Sequence, residues 1–407
     1  MQTLPPLSLY VHFPWCVAKC PYCDFNSHSL RGDLPADTYI DALIADLDMA
    51  AADVAGRAVE TIFFGGGTPS LFAPEQLERF LEAVHARFLI ANDAEITLEA
   101  NPGAVEHAAF ADYRAAGINR LSLGVQSLDD ARLKALGRIH SASDARSAFA
   151  QARAAGFDNI NLDFMYALPE QSLAQASADV EQALELQPEH ISHYHLTLEP
   201  NTVFYSRPPP LPDEELAAEI QSKSAELLAQ AGYENYEISA WAKPGYQCRH
   251  NLNYWRYGDY LGVGAGAHAK LTTIHDEPHN QASSHSRWRE SRVAHPREYL
   301  QCMQGPAGAA TRYEISEADA RFEFMLNRLR LREGFLPGEY EGLTGLMFSS
   351  LGPGLKQAYD RTLLEELEDG RIRPTAMGWR FLDDLQGIFL PSGPDTPGLK
   401  KTVVKLD

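Results

Sequence analysis

Leu7-Ser8-Leu9-Tyr10-Val11-His12-Phe13-Pro14-Trp15-Cys16-Val17-Ala18-Lys19-Cys20-Pro21-Tyr22-Cys23 is the stretch on which the reading of this chain turns. Leu7, Leu9, Val11 and Phe13 alternate with Ser8, Tyr10 and His12, the period of a half-buried β-strand. The strand runs straight into three cysteines spaced C-x3-C-x2-C. Offsets of 0, 4 and 7 would share one helix face, but Pro21 opposes a regular helix there. A loop wound around a soft metal centre fits better, since thiolates select iron–sulfur clusters, zinc or Cu(I). Zinc would want a fourth ligand, for which His12 and His28 are the sequence candidates. A [4Fe–4S] cluster usually takes four cysteines, so three would leave one iron open. Of the five cysteines, Cys248 and Cys302 stand alone, and neither is marked as a fourth ligand.

Downstream of the cysteines one unit recurs. Helical periodicity over 39–55 is followed by an apolar run over 59–64 that ends in Gly65-Gly66-Gly67-Thr68-Pro69. Helices at 74–88, 105–116, 141–155 and 172–186 then alternate with strands at 95–98, 120–125, 159–165 and 190–198. Helices at crossover length between strands predict a parallel sheet. Either a full or partial TIM-like barrel or a doubly wound sheet satisfies the pattern. A polyproline connector at 206–212 leads into a helix at 213–231, and 233–268 is rich in aromatics and glycine. The polar, His-rich 272–296 reads as an exposed loop. A helix–strand–helix tail of winged-helix appearance closes the chain, at 355–367, 371–374 and 377–385.

Composition narrows the classes. The 407 residues are 45% hydrophobic and 22% charged, as in a globular protein with a large core. A formal net charge of −20 disfavours nucleic acid as a partner. No run nears the roughly 18 apolar residues of a membrane helix. The first residues lack the pattern of a signal or transit peptide, so a cytoplasmic location with no transmembrane segment is expected.

Strand ends are where parallel α/β folds collect ligands. Gly65–Gly67 follow the second strand, Glu99 ends the third and Gln126 follows the fourth. Glycines there would let backbone approach a ligand. Asp163, between Leu162 and Phe164 in the fifth strand, is a carboxylate that is costly to bury unless paired or functional. A second pointed segment is Cys248-Arg249-His250-Asn251-Leu252-Asn253-Tyr254-Trp255, where a neutral imidazole among aromatics could meet heme iron or be a structural residue.

Tyr10 to Cys16, through Cys23-Asp24-Phe25, resembles the signature of the radical S-adenosylmethionine (SAM) superfamily. Within it the chain is similar to the oxygen-independent coproporphyrinogen III oxidase family, and most to its non-oxidase, heme-chaperone branch. That resemblance implies an α/β fold: a partial (β/α)6 TIM-like barrel with a smaller, mainly helical C-terminal domain ending in a winged-helix-like tail. It implies a [4Fe–4S] cluster on Cys16, Cys20 and Cys23, with the open iron chelated by the amino and carboxylate groups of SAM. An electron from the cluster could then cleave the sulfonium to a 5′-deoxyadenosyl radical. Gly66, Gly67 and Thr68 would line the SAM site and Glu99 would bind a polar group of it. Gln126, Arg138 and Asp163 match further SAM contacts, and Tyr10 and Tyr22 match contacts near the cluster. The His-Asn-x-x-Tyr-Trp pattern resembles that of the chaperone branch, with His250 as the heme contact and heme and an acceptor hemoprotein as partners. The expected division is a radical SAM core over 1–205, a connector and aromatic segment over 206–300, and a C-terminal domain over 301–407. The alternative is the oxidase, which decarboxylates coproporphyrinogen III propionates. Three departures oppose it. Asp24 and Phe25 stand where the oxidases extend the motif with another cysteine, only nine residues precede Tyr10, and the contacts after Asp163 do not map clearly onto 188–197.

Overall fold

The βα alternation of the first half folds as its spacing predicts. In this computed structural model, which describes residues 4–103, 109–275, 284–305, 308 and 310–391, six strands lie side by side in sequence order. They are β1 (Leu7–Phe13), β2 (Ala58–Gly66), β3 (Leu89–Ala100), β4 (Arg120–Gln126), β5 (Ile160–Tyr166) and β6 (His190–His195), and each neighbouring pair is parallel. The crossovers carry α1 (Ala36–Ala50), α2 (Pro74–His85), α3 (Phe110–Ala115), α4 (Ala142–Ala154) and α5 (Leu173–Leu186). The start of the helix expected from 105 lies outside the described residues. Tyr39, Ile40, Leu43 and Leu47 form the inward stripe of α1. Capping boxes start α4 (Ser141 with Asp144) and α5 (Ser172 with Gln175). Leu7, Leu9, Val11, Phe13, Ile62, Phe64, Leu98, Leu121, Leu123 and Leu162 join the helices in one large core.

The sheet does not stop at six strands. It continues past β6 into β8 (Ala240–Ala242) and β7 (Glu234–Asn235), which follow α6 (Glu214–Gln230). On the other side β1 pairs in parallel with β9 (Asp259–Val263), then come β10 (His268–His275), β11 (Ser284–Arg292) and β12 (Ala310–Glu314), all antiparallel. The twelve strands run in the order β12-β11-β10-β9-β1-β2-β3-β4-β5-β6-β8-β7.

Two sequence expectations are corrected. The polar 272–296 is no exposed loop: its described residues form the end of β10, all of β11 and the entry to α8 (Pro296–Met303). Among its described residues Arg289, Glu290 and Arg292 are buried in ion pairs. Arg292 Nε lies 2.8 Å from Asp46 Oδ1, which also binds Tyr299 through Oδ2 at 2.9 Å, and neighbouring Lys270 binds Asp259 at 3.2 Å. Composition marks such a segment as solvated because it does not show the partners. The alternation in β1 predicts one solvated face; instead Ser8 and His12 are buried and Tyr10 half-buried. Their face is covered by α7 (Arg249–Trp255), which packs across β1, β2 and β9.

The C-terminal part has its own core of Phe324, Met325, Phe335, Tyr340, Leu355 and Leu385. Helices α9 (Glu317–Arg328), α10 (Pro337–Thr344) and α11 (Gly352–Asp360) precede the hairpin of β13 (Leu364–Glu366) and β14 (Ile372–Pro374). That is a winged-helix order, although 364–366 is a strand where the sequence pattern carries the helix on to 367.

Candidate functional site

The cysteines sit on a closed loop at the carboxyl end of β1. A short parallel bridge pairs Trp15–Cys16 with His28–Ser29, fastened by His28 N to Pro14 O at 2.7 Å and Leu30 N to Cys16 O at 2.8 Å. Between those ties the chain is non-helical, with a turn marked by Cys23 N to Cys20 O at 3.2 Å. Asn26 anchors the loop: its Nδ2 donates to Ala265 O and Ala294 O, both at 2.9 Å. Its carbonyl accepts from His12 Nε2 at 2.9 Å, so His12 Nδ1 accepts the Tyr10 hydroxyl at 3.0 Å.

The end of β2 docks directly beneath. Gly67 N donates to Phe13 O at 2.6 Å and Thr68 N to Trp15 O at 2.8 Å. A Cβ on Gly67 would fall 2.5 Å from Trp15 O, and one on Gly66, whose φ is +109°, would fall 2.4 Å from the His12 ring. Only glycine permits this approach. Around the loop a ring of polar groups closes. Gly66 N donates to Glu99 Oε2 at 3.0 Å, and Asn101 Nδ2 to Thr68 Oγ1 at 3.0 Å. Arg138 donates to Asn101 Oδ1, to Gly124 O at 2.8 Å, to Tyr22 at 3.5 Å and to the Cys20 thiol at 3.4 Å. Gln126 turns out of β4 with φ +68°, and its amide lies near the bare Cα of Gly124.

The three thiols are half-buried and free, and Cys23 Sγ is 3.7 Å from Ser27 Oγ. Burial pushes the Cys16 and Cys23 thiols above their ordinary range, so a metal's positive charge is what would hold them as thiolates. Among the described residues no three His, Cys, Asp or Glu side chains close on one point as a single zinc ion requires. Cys248 is fully buried beside Glu95 and Arg249, and Cys302 lies on α8, so neither joins the loop. A donor set of three thiols, beside a glycine cradle and a cleft lined by Cys20, Thr68, Asn101 and Arg138, fits a four-iron cluster with a non-protein ligand on the fourth iron.

Most residues expected from the sequence converge here: Cys16, Cys20, Cys23, Tyr22, Gly66, Gly67, Thr68, Glu99, Gln126 and Arg138. Tyr10 lies a layer below, its ring 6.3 Å from that of Phe63. Asp163 lies within the sheet's polar layer, accepting from Ser122 at 2.9 Å and Asn161 at 2.8 Å. Burial raises its pKa, partly offset by those bonds. His250 does not join the site. It is 1% exposed on α7, with Nδ1 2.7 Å from Thr61 Oγ1 and Nε2 2.9 Å from the Tyr254 hydroxyl. Thr61 donates onward to Ser8 at 2.8 Å, so the His250 Nδ1–H donates and Nε2 accepts. Burial first, then the Arg120 charge, lowers its pKa to about 3. Asn101, Gly124, Asn26 and His140 complete the site and were not singled out from the sequence. Only Asn101, two residues after Glu99 at the end of β3, carries a positional signal.

A parallel βα barrel with three thiols looped over its strand ends defines a radical SAM protein. The chain matches the radical SAM superfamily over residues 10–183 and the HemN C-terminal domain over 315–381. Within that class it belongs to the HemW family. It is 48% identical to the heme chaperone HemW of Escherichia coli (strain K12) over 390 residues, covering 96% of this chain and 100% of that one. Identity to the heme chaperone HemW of Haemophilus influenzae is 45%, over 96% of this chain and 99% of the relative. The structure of coproporphyrinogen III oxidase (HemN) from Escherichia coli superposes with a TM-score of 0.78 at 24% identity, covering 95% of this chain and 90% of that one.

Proposed function

We propose that this protein is a heme chaperone: it binds heme and passes it to an acceptor hemoprotein, on a radical SAM scaffold. The observation that carries the reading is the three-thiol loop seated on the glycine cradle, in a chain collinear with HemW proteins. Cys16, Cys20 and Cys23 would hold the [4Fe–4S] cluster. Gly66, Gly67, Thr68, Glu99, Gln126 and Arg138 would hold SAM, with Tyr22 packing beside the cluster and Tyr10 and Asp163 shaping the interior below. A reduced cluster supplies one electron to the sulfonium of a bound SAM. The chain's own part is to orient that ligand and exclude water. Arg138 bridges the thiol loop to the Asn101 strand end, and Asn26 and His12 fix the loop to the barrel.

His250 is proposed to serve heme binding as the keystone of α7, since both ring nitrogens are taken in this conformation. Iron ligation by it requires α7 to release Thr61 and Tyr254. The oxidase alternative lacks comparable support, because the likeness to HemN is one of fold. No helix among the described residues is long and apolar enough to cross a membrane.

The test is anaerobic reconstitution followed by absorption spectra before and after hemin, then mixing with an apo-hemoprotein. The expected results are cluster absorption, a heme band, and loss of that band to the acceptor. A reconstituted protein that takes up no hemin sinks the reading. So does one that forms protoporphyrinogen from coproporphyrinogen III with SAM and a reductant.

A further inference from the structure

Gln126 and Arg138 stand at the two ends of one segment, which leaves β4, passes through the short helix Asp130–Ala135 and returns to the thiol loop. Its root is held in a costly conformation. Gln126 has φ +68°, a left-handed backbone that a residue with a Cβ keeps only where its surroundings impose it. The loop after β5 carries two more such residues, Ala167 at +56° and Glu170 at +55°.

One carboxylate joins the two loops from behind. Asp179 lies on the buried face of α5 and is 3% exposed. Its Oδ2 accepts from Ser127 Oγ at 2.7 Å and its Oδ1 from Leu128 N at 2.8 Å, the two residues that follow Gln126. From the second loop, Gln171 Nε2 donates to Oδ2 at 3.4 Å, while Gln171 Oε1 accepts from Leu168 N at 3.1 Å. Arg132 closes the joint by donating to Pro169 O. Order passes from this joint to the far end of the segment. Asp129 N donates to Ser127 Oγ at 3.1 Å, and Asp129 caps the short helix through Ala131 N at 2.8 Å. Arg138 N then bonds Leu133 O at 3.0 Å. Burial raises the Asp179 pKa to about 6 against the Ser127 and Leu128 bonds, so the pocket accepts a neutral group of the same shape.

We propose that Asp179 is a positioning residue for the SAM site: it locks the loops after β4 and β5 together, and thereby sets Gln126 and Arg138 against the ligand. The proposal rests on the SAM reading above. Asp179 acts through Ser127 and Leu128 and is not among the residues that line the cleft.

The test uses the full chain with its reconstituted cluster, and reads equilibrium SAM binding at matched cluster content together with amide hydrogen exchange. Asp179→Ala should weaken SAM about tenfold, the scale of a lost charge-assisted hydrogen bond, and quicken exchange across 127–138 and 168–171. Asp179→Asn keeps an acceptor for Leu128 N and should return affinity to within about threefold of wild type. Val180→Ala thins the same buried face of α5 without altering a hydrogen bond. It should lower the urea midpoint and leave SAM binding unchanged. Wild-type SAM affinity in Asp179→Ala overturns the proposal. So does an equal loss in Val180→Ala, which would make the packing of α5 the cause. If Asp179→Ala does not fold, Ser127→Ala cuts the same joint from its other side, and wild-type affinity there overturns the proposal as well. A wild type with full cluster absorption that binds no SAM removes the SAM reading and this proposal together. A wild type that binds SAM, with variants that bind it equally well, removes this proposal alone.

Discussion

His250→Ala separates a ring clamped for folding from a ring poised on heme iron. The wild-type imidazole accepts a hydrogen bond from the Tyr254 hydroxyl, donates one to Thr61 Oγ1, and stacks on Phe63 with ring centroids 4.9 Å apart. Alanine removes two buried hydrogen bonds, each worth about 1 kcal/mol net, and strands the Tyr254 hydroxyl at about 1–3 kcal/mol. The vacated ring volume adds a cavity cost, bringing the loss to about 3–5 kcal/mol. Urea unfolding followed by tryptophan fluorescence measures it, with Trp255 on the same helix as a local reporter. Heme titration at matched folded fraction should then show weakened binding in proportion to the loosening of α7. If the alanine variant unfolds within about 1 kcal/mol of wild type and still loses its heme band, the clamp is not what His250 does. His250 would then be free enough to ligate iron directly.

Further tests read other parts of the molecule. Burial lowers His12, His140 and His193 to about 4 and His250 to about 3, so between these values and 6.5 the unfolded chain binds more protons. Their stabilising contribution is complete above pH 6.5 and is lost as pH falls towards 4. From pH 7.5 to 5.5 each loses about 1.3 kcal/mol, roughly 5 kcal/mol for the four, visible as a falling urea midpoint. Asp179, raised to about 6 by burial, opposes them and blunts the slope. Gly67→Ala should force β2 away from the Trp15 carbonyl and cut iron retention while leaving far-ultraviolet circular dichroism unchanged. Gly338→Ala, with open space around it, is its silent control. Cys16→Ala, Cys20→Ala or Cys23→Ala should each abolish cluster absorption on reconstitution, whereas Cys302→Ala should preserve it. Asn26→Ala cuts both ties to Ala265 and Ala294, so amide exchange should quicken across residues 17–27 with β1 unaffected.

Local chemistry made the cluster loop legible. Pro21 forbids the helix that the cysteine offsets otherwise allow, and the structure has no helix there. The parallel strands were legible too, because each apolar run is bounded by a helix of crossover length. What escaped were groups whose meaning comes from distant partners. Asp46 on α1 and Arg292 on β11 are 246 residues apart, and each alone looks like a solvated charge. His140 follows an ordinary surface helix, and nothing in its neighbours announces a buried ring with one nitrogen unspent.

Depth along a strand is the harder quantity. Side chains four residues apart share a face, yet sit about 13 Å apart along the sheet. Glu95 and Glu99 on β3 are such a pair. Glu99 binds Gly66 N at the strand ends beside the thiols. Glu95 accepts the backbone amides of Arg249 and His250 at 3.2 and 3.1 Å, holding the start of α7 at the opposite depth. Alternation therefore reveals the interior face correctly but cannot say which carboxylate serves a ligand and which serves the floor. The same ambiguity covers Arg120 and Gln126 on β4, six residues apart. His250 belongs to the floor through Glu95 and Thr61, so on the proposed reading its effect on heme would pass through where α7 sits. Glu95→Gln tests that transmission without touching the imidazole. It removes the carboxylate charge beside Arg120, 4.0 Å away, and weakens the cap on α7. Heme affinity should fall in step with stability, while SAM binding, set at the other end of the same strand, should hold. A loss of SAM binding as large as the loss of heme binding would show that the two depths are not independent.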